Sequence, residues 1–374
     1  MNDLQSMSHV PLISVIIPTY NSELFIERTL SSVLVQSYRN LEVLVINDGS
    51  QDRTAIMVKE FAKADHRIRL LQQKNAGVAA ARNLGIQNAQ GEFIAPIDAD
   101  DLWDPTTLEK LLARFQMSDS QVGVVYGWTV DIDEEDQQTG DFHAATIDGN
   151  VYKTLICHNF LSNASATLIR KSCLDRIGGY DTHLKAQNAQ GCEDWDLYLR
   201  LAEHYKFGVV PEFLVGYRKV VDSMSCDLNK MARSQNFMLK KLHDAHPEIP
   251  KFFYCLSRSS FYLHLAHMSD AYGKPRATLS WLWQAVKVDP ITPLGRLGLY
   301  LLLVKSSAKL ALKLWPISRN ETKKKRIAYN PKYSSASCPK SEPHHPVARL
   351  RINRLRVQFE VLVGKILHRS LSKI

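Results

Sequence analysis

Residues 14–54 read SVIIPTYNSELFIERTLSSVLVQSYRNLEVLVINDGSQDRT, and the change of period along this stretch decides the fold. Ile13–Ile17 and Leu41–Ile46 are short runs rich in β-branched residues, apolar at every position but the second. Strands of that kind are buried on both faces, as in a parallel sheet. Between and after them come helical patterns at Glu23–Gln36, Arg53–Ala64 and Val78–Asn88. Weaker strand signals lie at Ile68–Leu71 and Phe93–Ile97. This spacing predicts right-handed βαβ units and an open α/β sheet.

Such sheets bind ligands beyond the carboxyl ends of their strands. Polar clusters gather there: PTYNSE after the first strand, NDGSQD after the second, QKNAG after the third and DADD after the fourth. All four are expected along one rim.

Further on, a helix is predicted at Thr106–Met117, a strand at Val122–Val130, a charged loop at Asp131–Gly140 and a strand at Ala164–Ile169. A helix starting at about Glu193 follows, with Trp195, Leu197, Leu199, Leu201 and Tyr205 as its apolar surface. Beyond Met231 the pattern is helical, with two helices joined at Gly273, the second opened by Pro275 and closed by Pro290. Leu297–Trp315 is an apolar helix whose Lys305, Lys309 and Lys313 share a stripe. Its uninterrupted apolar run, Leu297–Val304, is too short to span a bilayer, which leaves an interfacial helix or a packing helix. Val347–Leu371 is basic and amphipathic, and its alternation suits a strand nearly as well as a helix. The expected division is a tail at 1–11, an α/β domain at 12–228, a helical extension at 229–315 and a basic tail at 316–374.

Charge separates body from tail. Residues 316–374 hold 14 Lys/Arg against 3 Asp/Glu, so the chain's net +9 leaves residues 1–315 near −2. The tail therefore expects an acidic partner, an anionic membrane surface before a nucleic acid, because it has no interleaved aromatics. The opening MNDLQSMSHVP lacks the apolar core of a signal peptide, and six scattered cysteines without a C-x-x-C pair read as reduced thiols. Both point to a cytoplasmic protein, and the basic tail to a peripheral position on the inner face of the membrane.

The chemistry concentrates in QGEFIAPIDADDLWDP, residues 90–105. D-x-D occurs three times, at 98–100, 131–133 and 194–196, but only Asp98–Asp101 ends a strand at the proposed rim. Clustered carboxylates repel one another unless a cation sits among them, and Mg²⁺ or Mn²⁺ is commonly held by one or two carboxylates plus a substrate's phosphates. Capping of the next helix by Asp101 or Asp104 is compatible with that role. Asp48, just past the second strand and followed by Gly49, is placed to accept an N–H from a base edge; otherwise it is a turn carboxylate, with Ser50 or Asp52 capping the next helix.

Residues 14–54, then NAGVAAARNLGIQNAQGEFIAPIDADD (75–101), then GCEDWDLYLRL (191–201) together resemble the family 2 glycosyltransferases of GT-A fold. The resemblance covers about residues 12–225 and leaves the C-terminal third outside it. It implies inverting, metal-dependent transfer of a sugar from a nucleotide donor, UDP-linked by expectation, to a saccharide or lipid-linked saccharide. Pro18, Thr19, Tyr20, Asn21 and Glu23 would line the nucleotide pocket, with Asp48 on the base and Arg82 near base or phosphate. Asp98 would approach the ribose and, with Asp100, the metal, with Asp101 as a substitute. The acidic pair Glu193-Asp194 would supply the catalytic base, Asp194 foremost. GYRKVVDSMS (216–225) resembles the segment that folds over the diphosphate, giving Arg218 and Ser223–Ser225 as candidates. Where many relatives have a His just after the Arg, this chain has Lys219, Val220 and Val221.

Inversion requires an acceptor hydroxyl attacking the anomeric carbon opposite the leaving diphosphate, with one base to take its proton. Asp194, at a helix start, is expected to be kept ionised by the helix dipole, while Asp196 faces elsewhere. Trp195 either stacks on the acceptor or packs in the core. No Q-x-x-R-W follows Asp194, so one sugar per binding event is expected. Two alternatives remain at this level: a sugar-1-phosphate nucleotidyltransferase, which would want a glycine-rich loop that IIPTYNSE lacks, and a non-catalytic protein docking on membrane or nucleic acid.

Overall fold

A computed structural model describes residues 10–220, 227–291, 293–314 and 354–372. In chain order the elements are β1 (Ile13–Thr19), α1 (Ile26–Leu34), β2 (Leu41–Asn47), α2 (Thr54–Ala64), β3 (Ile68–Gln72), α3 (Val78–Asn88), β4 (Phe93–Pro96), β5 (Leu102–Trp103) and α4 (Thr107–Gln116). Then come β6 (Val122–Ile132), β7 (Gln138–His143), α5 (Tyr152–Cys157), β8 (Thr167–Arg170), α6 (Lys171–Ile177), α7 (His183–Ala186), α8 (Glu193–Ala202) and β9 (Lys206–Arg218). Helices α9 (Leu228–Ala245), α10 (Lys251–Ala271), α11 (Pro275–Val288), α12 (Leu297–Leu314) and α13 (Arg354–Ser372) complete the described chain.

The strands form one sheet in the order β3-β2-β1-β4-β8-β6-β9-β5, with β7 paired to β6. The first four are parallel, as their doubly apolar pattern requires. Val15, Val43 and Ile17 pack into one core cluster and Ile16, Leu44 and Ile46 into another, so each strand feeds two cores, one on each face. Register then builds the rim. Thr19 lies level with Asn47 and Asn47 with Gln72, so β1, β2 and β3 end together, while β4 stops level with Ile16 and Ile97 N–H bonds the Ile16 carbonyl as the chain runs on to Asp98.

The second half of the sheet, for which the sequence set no strand direction, is mixed. β8 runs antiparallel between β4 and β6, and β5 is antiparallel to β9. The charged segment 131–140 is not a solvated loop throughout: β6 continues to Ile132 and turns through residues 133–137 into β7. Asp131 is buried there, with Lys219 Nζ at 3.4 Å. The long β6–β9 pairing carries the strand past its apolar stretch.

The described chain separates into two compact units, residues 1–261 with 346–374, and residues 262–345. The first contains the sheet, and Met238, Leu239 and Leu242 of α9 enter its core. The described end of the chain is a helix, α13, whose Leu371 is buried against this unit and whose His368 Nδ1 lies 2.7 Å from Thr154 Oγ1. In the second unit Tyr262 of α10 stacks obliquely on Trp281 of α11, and α12 packs on α11. Residues 223–225, 323–326 and 330–346, on which some expectations fell, lie outside the described residues.

Candidate active site

Three of the polar clusters are bonded to one another, and the fourth, DADD, is tied through Asp98 to Arg82 on the helix that follows the third. Asn21, with φ of 50°, donates its N–H to Ser50 and accepts from Gln51 N–H. Glu23 and the NDGSQD turn are cross-bonded: Glu23 N–H donates to Asp52, and Arg53 N–H donates to Glu23. Asp52 also accepts from Thr54 N–H at the start of α2, as expected of a cap. Glu23 thus fastens β1's exit loop to α2. Thr19 is buried and donates to Ile46 carbonyl, Pro18 is buried within β1, and Tyr20 stands 52% exposed at the rim. Of this group only Tyr20 presents a free flat face.

Asp48 is 3% exposed and its carboxylate is heavily used. It accepts from Gln73 Nε2 at 2.7 Å, Ala76 N at 2.7 Å and Gly77 N at 2.8 Å. Gly49, at φ +79°, provides the turn that aims it, and a Cβ there would meet Asn75 N at 3.0 Å. Asp48 therefore clamps the QKNAG loop at the start of α3.

The centre of the site is Arg82 on α3. Its guanidinium donates to Asp98 Oδ1 at 2.5 Å and to Asp194 Oδ1 at 2.6 Å, bringing the end of β4 and the start of α8 to one point. The Arg82 side chain is 4% exposed, whereas Asp98 and Asp194 keep 28% and 23%, so a ligand reaches the carboxylates and not the cation. Tyr180 lies under the guanidinium at 5.1 Å. Burial pushes Asp194 up to about 6, against the downward pull of Arg82 and with the upward push of Asp98. Desolvation thus outweighs the helix-start effect expected from sequence. Glu193 is buried, accepts from Gly191 N–H, and is also raised by burial; its Oε1 has no hydrogen-bond partner.

Asp100 sits beside Asp98, and burial followed by that neighbour's charge pushes it up to about 6. Asp101 is not free to replace it. Fully buried, it accepts from Ser165 Oγ at 2.5 Å, Asn163 Nδ2 at 3.1 Å and Arg218 N–H at 2.9 Å. Helix α4 is preceded instead by Asp104, which accepts from Thr106 N–H and hydroxyl.

Arg218 points inward. Its guanidinium donates to Asp100 carbonyl at 2.7 Å, to Asp133 carbonyl and to Asp136 at 2.5 Å, and it lies over Phe25. Here it braces the acidic loop and the β6–β7 turn. Trp195 takes the core alternative: 4% exposed, it donates to Leu155 carbonyl at 2.7 Å and meets Phe261. Asp196 faces away, paired with Arg200 and Lys241. Tyr180, Asn163 and Ser165 had no signal in the sequence, since nothing about their spacing separates them from ordinary loop residues.

A parallel sheet that ends in a carboxylate rim, extended by mixed strands and faced by an acidic helix start, defines a GT-A-type fold. Residues 14–177 match the model of the family Glycosyl transferase family 2. Glycosyltransferase GlyA of Streptococcus pneumoniae is 40% identical over 119 residues, which are 31% of this chain and 17% of that protein. An uncharacterized glycosyltransferase of Haemophilus influenzae is 29% identical over 242 residues, 63% of this chain and 73% of that one. The chain thus spans less than a fifth of the former and nearly three quarters of the latter. The crystal structure of S. aureus TarS 1–349 in complex with UDP-GlcNAc superposes with a TM-score of 0.53 at 19% identity, over 79% of this chain and 88% of that one. That likeness concerns the fold.

Proposed function

We propose that the protein is an inverting glycosyltransferase that moves one sugar per encounter from a nucleotide-sugar, UDP-linked, to a saccharide or lipid-linked saccharide. The observation that carries this reading is Arg82, which joins a donor-side carboxylate, Asp98, to a base candidate, Asp194, while leaving an accessible edge on each. The family match and the UDP-GlcNAc bound by TarS support the donor class.

Tyr20 offers a face for the base, and Asp98 an oxygen for the ribose. The Asp194 carboxylate accepts the acceptor's hydroxyl proton as that oxygen bonds the anomeric carbon. The bond from that carbon to the diphosphate oxygen breaks on the opposite side, which inverts the centre. A carboxylate near 6 is mostly ionised at neutral pH yet basic enough to take part of a proton, the range that favours general-base catalysis.

The donor set suits a hard divalent cation. Asp100 and Asp98 are adjacent carboxylates whose repulsion is part of what raises Asp100, and Asp98 spends one oxygen on Arg82. Among the described residues no three His, Cys, Asp or Glu side chains form a ready cage, and Mg²⁺ or Mn²⁺ needs only one or two carboxylates before substrate phosphates complete its shell. Bound by Asp98 and Asp100, such an ion would neutralise charge on the leaving diphosphate.

The basic charge of the tail, 316–374, supports an anionic membrane surface as its partner, with the catalytic unit cytoplasmic and peripheral on the inner face. No helix among the described residues is long and apolar enough to cross a membrane. The deciding assay incubates the protein with Mn²⁺ and a panel of nucleotide-sugars and acceptors and measures free nucleoside diphosphate. Release of UDP from a UDP-sugar, with an inverted product linkage, is expected. Pyrophosphate release, or no turnover by folded protein, would reject the reading.

A further inference from the structure

Helix α12 is built inside out for a helix that faces only water. Leu299, Leu302 and Ser306 are buried on its inner side. On its outer side Leu297, Leu301, Val304 and Leu312 are 80, 71, 69 and 71% exposed, flanked by the half-exposed Tyr300 and Leu303. With 3.6 residues per turn, Leu297, Leu301, Val304, Ala308 and Leu312 fall on one stripe about 22 Å long. A surface helix ordinarily puts charged residues there. No charged residue interrupts this stripe.

The cations are drawn to its flank. Lys305 and Lys309 reach the same carboxylate, Asp270 on α10, at 2.6 and 2.7 Å, and both keep exposed edges. From Tyr262 to Leu314 the sequence has 7 Lys/Arg against 2 Asp/Glu.

We propose that the outer face of α12 inserts into the headgroup region of an anionic bilayer. The Leu297–Leu312 stripe meets acyl chains, and Lys305 and Lys309 lie level with lipid phosphates. An apolar stripe bordered by cations is the composition that combines burial with attraction to anionic lipid. A second copy of the chain is the other occupant to weigh. Pairing two such faces would set lysine rows of like charge beside one another on a unit already rich in cations, whereas an anionic surface neutralises them. The inference goes beyond the transferase reading and needs neither its chemistry nor the tail.

The test uses the full chain and sedimentation with vesicles of phosphatidylcholine mixed in equal parts with phosphatidylglycerol. Wild type binds these, and binds vesicles of phosphatidylcholine alone at least about tenfold more weakly. Leu301→Glu with Val304→Glu lowers binding to the anionic vesicles by at least about tenfold. Met117→Glu, at an exposed apolar position just past α4, leaves it unchanged. Helical circular dichroism and melting temperature check that the double variant is folded, and Leu301→Ser with Val304→Ser gives the same comparison if it is not. The proposal is overturned if wild type ignores anionic vesicles or if the folded double variant binds them as wild type does. It also falls if wild type is a dimer that the same changes dissociate while no vesicle binding exists.

Discussion

Replacing Arg82 by Met removes the one cation shared by Asp98 and Asp194 while keeping an unbranched side chain of similar reach. In the wild type Asp194 lies near 6, so about nine-tenths of it is ionised at pH 7. The guanidinium is 2.6 Å from its oxygen, and an opposite charge so close is worth roughly 1–3 pKa units. Taking about two units moves the carboxyl to about 8, where roughly one-tenth is ionised at pH 7. The expected rate at pH 7 is therefore about tenfold lower, with recovery toward wild type near pH 9. Stability falls as well, because two half-covered carboxylates lose their counter-ion. The usual cost of breaking a buried pair is about 3–5 kcal/mol, and the exposed edges of Asp98 and Asp194 place this case at the lower end. Arg82→Lys, which keeps one charge but not the fork, falls between the two. The assay is the initial rate of nucleoside diphosphate release from pH 5.5 to 9.5, on samples whose folding is verified by melting. A loss that stays constant across that range would refute the electrostatic role and leave Arg82 as a structural brace.

Other changes separate the remaining roles. Asp194→Asn is expected to abolish turnover and leave UDP binding nearly intact, while Asp100→Asn weakens Mn²⁺-dependent UDP binding; calorimetry reads both, and the opposite pattern would exchange the assignments. If Asp194 is the base, the wild-type rate is expected to rise with pH through about 6 and then level, because a base works only when ionised and burial has raised this carboxyl; a profile flat down to pH 4.5 would exclude Asp194 from that role. Asp48→Ala strands the N–H groups of Ala76 and Gly77, each costing about 1–3 kcal/mol if left unbonded, so hydrogen exchange at residues 73–77 should accelerate along with weaker nucleotide binding. Trp195→Ala should lower stability by about 3–5 kcal/mol as a core truncation, without the selective rise in acceptor KM that a stacking platform would show.

Legibility followed locality. The four parallel strands and the helices between them were readable because each is specified by its own period, and their rim followed from strand direction alone. The mixed half of the sheet was not, since β8 takes its neighbours β4 and β6 from segments remote in sequence. Asp131 shows the failure clearly: within VDIDEEDQQTG it has the look of a solvated charge run, yet strand pairing carries it into a buried position beside Lys219. Asp101 and Arg218 were credited with ligand contacts on motif position, and the fold spends both on holding the acidic loop together. The helical state of residues 354–372 was undecided between two periods until packing against the first unit selected one.

What the sequence determined by itself was the sheet's parallel half, its polar rim and the family that this combination marks, because hydrophobic period and turn chemistry act over a few residues. Which acidic groups face a ligand, and which are consumed as structure, was decided only in three dimensions. Arg82 is 112 positions from Asp194, and no local pattern encodes that meeting. Burial and pairing depend on what the rest of the chain packs against each side chain, and these set the basicity of a carboxylate far more than its neighbours in sequence do.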